Sequence, residues 1–333
     1  METAASTIFI TPEQRVRMPV LEAIERMPDH LRFGTRDPCT VRLGQAAGRL
    51  DSRDLRFARE PASPDGHSPP WLTLRPHPVI LPRRWAVRGD DVLVRSRVPR
   101  GPLNVYRGEL DILNDYPWCT VGKVFVGAGT DLSTPTGFGS GVMVGRNLML
   151  TASHVAPWGA RPWWMRFVPA FKDGLEPFGS SYVSEYFGIT SSDDDSDYVI
   201  CRLYDPIGDA CGWMGSWGST DDDFYEDRAW DSVGYPGDFA NGQRPCVEWN
   251  ITPEDADVNG SEVEITFASA FTSPGWSGGP LFGWVNGEPR VVGVTRGTQQ
   301  TDYWIFGSDD DALFTGGLHM VDLVKHGLAN WPV

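Results

Sequence analysis

Residues 140–155, SGVMVGRNLMLTASHV, are the stretch that most clearly indicates the fold of this chain. Two apolar runs flank a Gly-Arg-Asn turn, and this pattern predicts a β-hairpin. The second strand ends at TAS, and His154 follows it directly. A lone histidine is more often structural than functional. The whole frame, an apolar strand followed by TAS and His-Val, makes His154 a candidate functional residue.

Similar β-rich runs continue from about residue 118. They are TVGKVFVGAG, DYVICRLY, SVGYPG, VEITFASAF and PRVVGVTRG, separated by Gly, Pro, Asn or Asp. Strands at this spacing, with no long helices between them, predict an all-β barrel or sandwich. One short C-terminal helix is predicted over residues 316–329, GGLHMVDLVKHGLA. Its apolar face would consist of Leu318, Val321, Leu323 and Val324.

Residues 1–110 differ from the rest of the chain in amino-acid composition and in net charge. They contain 18 Arg, no Lys and 13 Asp or Glu, a net charge of +5, whereas the remainder carries −20. Proline-rich runs such as PASPDGHSPP (61–70) and RPHPVILPRR (75–84) predict little regular structure. The arginines are scattered, without a basic helix or an aromatic platform, which argues against a nucleic-acid-binding arm. An intramolecular partner for the acidic remainder fits better.

Composition excludes several other classes. No apolar run approaches the roughly 20 residues that span a bilayer, and METAASTIFITPEQRVR (1–17) does not have the layout of a secretory signal. The five cysteines are an odd number, so at least one thiol stays free, and they are too few for a disulfide scaffold. None forms CxxC or a Cys/His cluster with zinc-ligand spacing, so no metal site is predicted.

The segment PGWSGGPLFG (274–283) contains a serine, Ser277, among three glycines. A nucleophilic serine needs an exposed hydroxyl group and backbone N–H groups aimed at the developing oxyanion, and glycines let the chain turn tightly enough to present both. The N–H groups of Gly275 and Ser277 are the predicted oxyanion donors. Taken alone, the segment fits an ordinary glycine-rich turn equally well.

The segment DDDSDYVICRLYDPIG (193–208) supplies a candidate carboxylate. Asp197 immediately precedes an apolar strand, where it could be buried and could orient the inner imidazole nitrogen of His154. Asp193, Asp194 and Asp195 are rival candidates. A solvated acidic loop is the more common role for such a run, and calcium binding is a minor alternative.

The three candidates stand in the chain order His154, Asp197, Ser277. That order resembles the chymotrypsin-like double β-barrel. SVGYPGDF (232–239), the stretch 197–215 and PWCTVGKV (117–124) narrow the resemblance to the bacterial glutamyl endopeptidase group, over about residues 117–300. The resemblance implies two six-stranded antiparallel β-barrels with a short C-terminal helix, preceded by an irregular N-terminal extension.

The same resemblance implies a domain organisation and a set of partners. Residues 117–333 would be a trypsin-like protease domain, and residues 1–116 a propeptide-like extension of a zymogen. We expect protein or peptide substrates, the chain's own N-terminal extension as a partner, no nucleic-acid or membrane partner, and a monomer. No cofactor is expected, and the family resemblance implies an extracellular location.

The residue before the candidate nucleophile departs from the trypsin pattern. Trp276 stands where many trypsin-like enzymes have an aspartate. A tryptophan cannot form the buried ion pair with a freed N-terminus that activates trypsinogen-like zymogens. Latency would therefore have to come from the extension.

The specificity pocket also departs from the acid-specific pattern. Relatives that cleave after glutamate have a histidine where this chain has Val294 or Thr295, so the resemblance does not extend to glutamate preference. Thr272, Thr295 and Arg296 are the candidate substrate-binding residues, and Thr272 and Arg296 could still favour an acidic side chain. The pocket floor is expected near Phe271, which argues against cleavage after Arg or Lys.

The leading hypothesis is a serine endopeptidase with His154, Asp197 and Ser277 as its triad. The alternative from another class is an inactive pseudoprotease, a binding module in which Trp276 distorts the nucleophile loop. An esterase of the α/β-hydrolase type would need its acid and histidine after the serine, and no suitable histidine context follows Ser277.

Overall fold

The computed structural model describes residues 25–31, 46–51, 63–78, 80–81, 106–110, 115–160, 162–192, 194–267, 272–303 and 307–333. The strands in these ranges are β1 (Ala46–Arg49), β2 (Ile80–Leu81), β3 (Tyr106–Leu110), β4 (Val121–Ala128), β5 (Gly137–Gly145), β6 (Leu148–Thr151), β7 (Trp163–Pro169), β8 (Ser181–Gly188), β9 (Val199–Leu203), β10 (Gly215–Ser216), β11 (Trp230–Gly234), β12 (Cys246–Ile251), β13 (Asp255–Asn259), β14 (Glu262–Phe267), β15 (Pro280–Val285), β16 (Glu288–Tyr303) and β17 (Gly307–Gly316). The helices are α1 (Gly208–Cys211), α2 (Asp222–Glu226) and α3 (Leu318–Asn330).

The first half is a closed antiparallel barrel of six strands. β8, β7, β4, β5, β6 and β9 pair in that order, and β9 pairs back with β8. Val124, Val142 and Leu150 lie in its core, each fully buried. The predicted hairpin is formed by β5 and β6, whose residues Val142 and Leu150 are register partners. The all-β fold and the first six-stranded barrel are therefore confirmed.

The second half repeats the strand order but does not close in the same way. In the first half the strands are neighbours in the order β6-β9-β8-β7-β4-β5. In the second half, with β10 and β13 left out of the count, the corresponding order is β14-β17-β16-β15-β11-β12. Among the described residues β12 does not pair with β14, because β13 forms a hairpin with β14 and β3 pairs with β12. The predicted second six-stranded barrel is thus corrected to a ten-stranded sheet, which also contains β2 and β10.

Three strands come from the region that was predicted to be irregular. β1 pairs in parallel with β8, and β3 pairs with β12 on one side and β2 on the other. β3 is anchored by its side chains, since Leu110 is fully buried and Glu109 is 3% exposed. Lys172 Nζ lies 3.2 Å from Glu109 Oε1, and Arg244 Nη1 lies 3.4 Å from Glu109 Oε2. The prolines of this region do not prevent it from forming short paired strands.

Residues 63–78 also contact the rest of the protein. His67 and Trp213 exchange backbone hydrogen bonds of 2.8 and 3.0 Å. Arg290 Nη1 donates to the Pro64 carbonyl at 2.5 Å, and Trp71 Nε1 donates to the Ala210 carbonyl at 2.9 Å. The boundary between residues 116 and 117 remains a prediction.

The predicted C-terminal helix is confirmed as α3. Although it follows the second sheet, it packs on β6 and β9 of the first barrel. Gly327 allows this approach, because a β-carbon there would lie 3.1 Å from Ile200 Cγ1. The buried face differs from the prediction at one position, since Met320 is fully buried and Leu318 is half-buried. No helix in the described part is long and apolar enough to span a membrane.

Candidate active site

His154 and Asp197 are joined by two hydrogen bonds. His154 lies in a short 3-10 helix, Ser153–Val155, that follows β6. Its Nδ1 atom is 2.7 Å from Asp197 Oδ2, and its backbone N–H donates to Asp197 Oδ1 at 2.9 Å. The Asp197 side chain is fully buried, whereas the His154 side chain is 33% exposed. The carboxylate thus fixes both the ring orientation and the tautomer, leaving Nε2 as the free ring nitrogen.

Strand pairing explains why Asp197 reaches His154. β9 begins two residues after Asp197 and pairs antiparallel with β6, so that Thr151 and Val199 are register partners. The rival aspartates have other partners. Asp194 accepts a hydrogen bond from the Ser196 N–H at 3.0 Å. Asp195 Oδ1 lies 3.5 Å from Arg296 Nη1. Asp193 lies outside the described residues.

The turn that carries Ser277 packs directly against the segment that carries His154. Ser277 O accepts a hydrogen bond of 2.8 Å from the N–H of Ser140 on β5. A β-carbon on Gly278 would lie 2.1 Å from Thr151 Oγ1, so only glycine allows this approach. A β-carbon on Gly139 would lie 2.9 Å from the Val155 side chain and 3.0 Å from Ser277 O. The turn of the half-buried Ser277 and the segment of the exposed His154 therefore pack together at the junction of the two halves.

The N–H groups of Gly275 and Ser277 are oriented by the carbonyl groups that precede them. The carbonyl before Gly275 accepts from Gly237 N at 2.7 Å, and the carbonyl before Ser277 accepts from Gly279 N at 2.8 Å. A trans peptide places its C=O and N–H on opposite sides, so tying each carbonyl turns the N–H the other way. Neither N–H donates to an acceptor within the described residues. As far as the structure describes the chain, the two predicted oxyanion donors are thus both unpaired, as such a site requires.

Ser140 connects these features. It is fully buried, and its hydroxyl donates to the Gly275 carbonyl at 2.7 Å while accepting from the Tyr235 N–H at 2.9 Å. Its own carbonyl accepts from the Thr151 hydroxyl at 2.6 Å. With the bond to Ser277 described above, one residue of β5 holds the candidate nucleophile turn, the GYPG segment and the end of β6.

Trp276 is accommodated in a slot of the second half. It is fully buried, and its indole Nε1 donates to the Ser232 hydroxyl at 3.0 Å. The ring lies on Gly234, where a β-carbon would be 2.5 Å from two ring atoms. The indole thus occupies the space behind the turn without breaking the hydrogen bonds that orient Gly275 and Ser277.

The candidate specificity residues differ in their burial and in their hydrogen-bond partners. The Thr295 side chain is fully buried, and its hydroxyl donates to the Gly279 carbonyl at 3.0 Å. The Thr272 hydroxyl donates to the Gly297 carbonyl at 3.2 Å. Arg296 is hydrogen bonded to a carboxylate, that of Glu264, and its Nη1 lies 3.5 Å from Asp195 Oδ1. Its charge is therefore already paired within the protein. Phe271 lies outside the described residues.

Sequence reasoning assigned no role to Ser140, Gly237 or Lys123. Gly237 and Lys123 lie within segments that carried the family resemblance, and Ser140 begins the predicted hairpin, but their contacts join distant parts of the chain. Lys123 is 1% exposed, and its Nζ donates to the Gly242 carbonyl at 2.7 Å and lies 4.0 Å from the ring centroid of Phe138. Burial lowers the pKa of Lys123 to about 8. A lysine within an apolar β4 run was the available signal.

The strand order and the site together define a chymotrypsin-like fold. No family model matches the chain, and no curated protein matches it. A solved structure of a Glu endopeptidase is similar, with a TM-score of 0.51 and 16% identity over 67% of this chain and 97% of that one. A crystal structure of the protease Anisep from Arthrobacter nicotinovorans has a TM-score of 0.44 and 18% identity, over 60% and 90% of the two chains. The predicted resemblance is confirmed at the level of the fold.

Proposed function

We propose that this protein is a serine endopeptidase. The observation that carries the proposal is the buried Asp197 bound to Nδ1 of His154, beside a turn whose Gly275 and Ser277 N–H groups have no acceptor in the described part of the chain. A general base, an orienting carboxylate, a serine and two oxyanion donors are the parts that nucleophilic acyl transfer needs. The likeness of the fold to that of a Glu endopeptidase supports the same reaction class.

In the proposed reaction the Ser277 hydroxyl attacks the peptide carbonyl while His154 Nε2 takes its proton. Asp197 stays ionised, holds the imidazole and stabilises the imidazolium that forms. The N–H groups of Gly275 and Ser277 bind the oxyanion, and each such donor is worth roughly 3–4 kcal/mol of transition-state stabilisation. His154 then protonates the leaving amine, and water hydrolyses the acyl-enzyme by the same route. These reaction steps need no cofactor.

The pseudoprotease alternative depends on Trp276 distorting the turn. Against it stands the slot described above, in which the indole has a hydrogen-bond partner and both oxyanion N–H groups keep their orientation. We therefore propose an active serine endopeptidase and not an inactive pseudoprotease.

Substrate preference is proposed more coarsely. Arg296 is paired with Glu264 and lies near Asp195, so an acidic substrate side chain would have to compete with two carboxylates. Thr272 remains a candidate wall of the pocket, and Thr295 acts through the backbone it supports. We propose protein or peptide substrates without a glutamate requirement.

The N-terminal extension is proposed as an intramolecular partner. Its described parts pair with both sheets and bury Glu109 against Lys172. The opposite net charges of residues 1–110 and the remainder, +5 and −20, favour the same association, although screened surface pairs contribute only about 0–1 kcal/mol each. A zymogen in which this region must be rearranged before full activity fits these contacts.

The test is labelling of the full chain with a serine-reactive fluorophosphonate. Labelling is expected at Ser277, and Ser277→Ala should abolish both labelling and peptide hydrolysis while the thermal unfolding temperature is kept. Ser273→Ala is the matched control, because Ser273 lies on the same turn and its hydroxyl donates to Asp238. Turnover should fall by on the order of 10⁶ in Ser277→Ala. Labelling that persists in this variant would contradict the proposal.

A further inference from the structure

The loop that carries Asp197 is attached to the second half of the molecule. β14 alternates strictly, with Val263, Ile265 and Phe267 buried and its two glutamates on the other face. One of these, Glu262, accepts a hydrogen bond from the Ser196 hydroxyl. Ser196 is the residue directly before Asp197 and is only 5% exposed. A side chain of the second sheet therefore holds the neighbour of the candidate triad carboxylate.

Glu262 is itself held from a third element. His319, in the first turn of α3, places its Nδ1 atom 3.2 Å from Glu262 Oε1, the same oxygen that the Ser196 hydroxyl contacts. The His319 backbone N–H donates to the Ser261 carbonyl at 2.9 Å, which fixes the start of the helix against β14. The hydrogen bond from His319 holds the pKa of Glu262 below its usual value. The acceptor for Ser196 is thus an oriented carboxylate.

The backbone around Asp197 transmits this attachment. The Ser196 N–H donates to Asp194 Oδ1 at 3.0 Å, and the Asp197 N–H donates to the Asp194 carbonyl at 2.8 Å. The Tyr198 N–H closes the turn on the Ser196 carbonyl at 2.7 Å. In this tight turn a movement of Ser196 also moves the peptide groups on both sides of Asp197. The Glu262 contact therefore acts on the carboxylate position.

The position matters because the proposed catalytic groups lie on different halves. His154 and Asp197 belong to the first barrel, whereas Ser277 and its oxyanion donors belong to the second sheet. Proton transfer requires a separation of about 2.6–3.2 Å between base and nucleophile, so a small shift of one half is costly. A contact that crosses the junction next to Asp197 constrains this separation.

We propose that Glu262 is a positioning residue that, oriented by His319 and acting through Ser196, sets Asp197 and hence His154 against Ser277. The inference rests on the proposed endopeptidase function. It assigns Glu262 no contact with substrate. A nearby bridge from the same strand, between Glu264 and Arg296, reaches the loop through Asp195, whose side chain is 48% exposed. Arg296 and Glu264 are 22% and 25% exposed, but the loop residue that they reach, Asp195, does not lie next to Asp197 in the chain.

The experiment uses the full chain with Ser196→Ala, Glu262→Ala and the double variant. Each single variant should lower kcat about tenfold with KM within about twofold, because binding is untouched while a positioning hydrogen bond is lost. The double variant should be no worse than either single one, since the two residues act as one unit. Ser196→Thr, which keeps the hydroxyl, should restore most of the activity. Asp255→Asn removes an exposed acid from the same hairpin and should change nothing.

A second measurement does not depend on turnover. The low-field proton resonance of the His154–Asp197 hydrogen bond, assigned by its loss in Asp197→Asn, should shift or broaden in Ser196→Ala and stay unchanged in Asp255→Asn. An unchanged resonance with additive effects on kcat would overturn the positioning role. If the parent protein is not labelled by the fluorophosphonate, the endopeptidase proposal fails instead. A labelled parent with equally reactive variants leaves that proposal standing and refutes this one.

Discussion

Trp276 is the departure that most directly separates an active enzyme from a pseudoprotease. A double-mutant cycle of Trp276→Phe and Ser232→Ala isolates the hydrogen bond between the indole Nε1 and the Ser232 hydroxyl, which is 3.0 Å long. Both residues are fully buried, so each single variant leaves a buried polar group without its partner. The cycle therefore measures a contact that solvent cannot replace.

The magnitudes follow from this burial. Ser232→Ala should lower the free energy of unfolding by about 1–2 kcal/mol, the cost of an unsatisfied buried N–H. Trp276→Phe should cost roughly 2–3 kcal/mol, because a small cavity is added to the loss of the hydrogen bond. The double variant should be less destabilised than the sum by about 1 kcal/mol, the coupling of two residues in contact.

Two assays decide the outcome. Urea unfolding gives the coupling energy, and the fluorophosphonate labelling rate reports the geometry of the turn. If Trp276 supports the turn, Trp276→Phe labels no faster than the parent chain, and a tenfold slower rate is the expected limit of its effect. Faster labelling of Trp276→Phe, together with a coupling energy near zero, would show that the indole strains the turn and would refute this reasoning.

Ser140→Ala should slow the labelling of Ser277 by about 10–100-fold, because the hydroxyl joins the turn to the GYPG segment; unchanged labelling would contradict that. Burial raises the pKa of Asp231 to about 7. The folded protein therefore binds more protons than the unfolded chain between about pH 4 and 7, and the free energy of unfolding should fall by roughly 2–4 kcal/mol as pH rises through that window. Urea unfolding of Asp231→Asn should lose this fall. The lowered pKa of Lys123 has the opposite sign, so the free energy of unfolding of the parent relative to Lys123→Met should rise between about pH 8 and 10.5. A chain that begins at residue 117 should melt at a lower temperature than one that begins at residue 60, because it lacks β3 and the contacts of residues 63–78; equal melting temperatures would mean that these contacts stabilise nothing.

The parts of the site that sequence reasoning could find are those that one local frame determines. His154 follows an apolar strand with a recognisable ending, Asp197 precedes one, and Ser277 lies in a glycine-rich turn. Each frame occupies fewer than about twenty residues, so periodicity and turn chemistry suggest its local structure, and the chain order and the family resemblance supply the expected role. The structure brings these three frames to one junction.

Pairings between distant segments could not be found in the same way. The contact of Trp276 with Ser232, and that of Arg296 with Glu264, depend on the register of strands that are far apart in the chain. Glu262 illustrates the limit, because an alternating strand shows that its side chain faces outward but not which loop covers that face. The same holds for β2 and β3. These strands are too short to be predicted from their own residues, and they are defined by pairing, β3 with β12 and β2 with β3.

β3 also affects the solubility of the protein. Without it, the row of N–H and C=O groups on the outer side of β12 would be open to solvent and to other chains, and such rows are templates for intermolecular pairing and aggregation. A short segment from early in the chain thus shields β12, a strand that lies much later in the sequence. Any cleavage that released β3 would leave β12 as an exposed edge strand, and self-association of the remaining chain is the expected consequence.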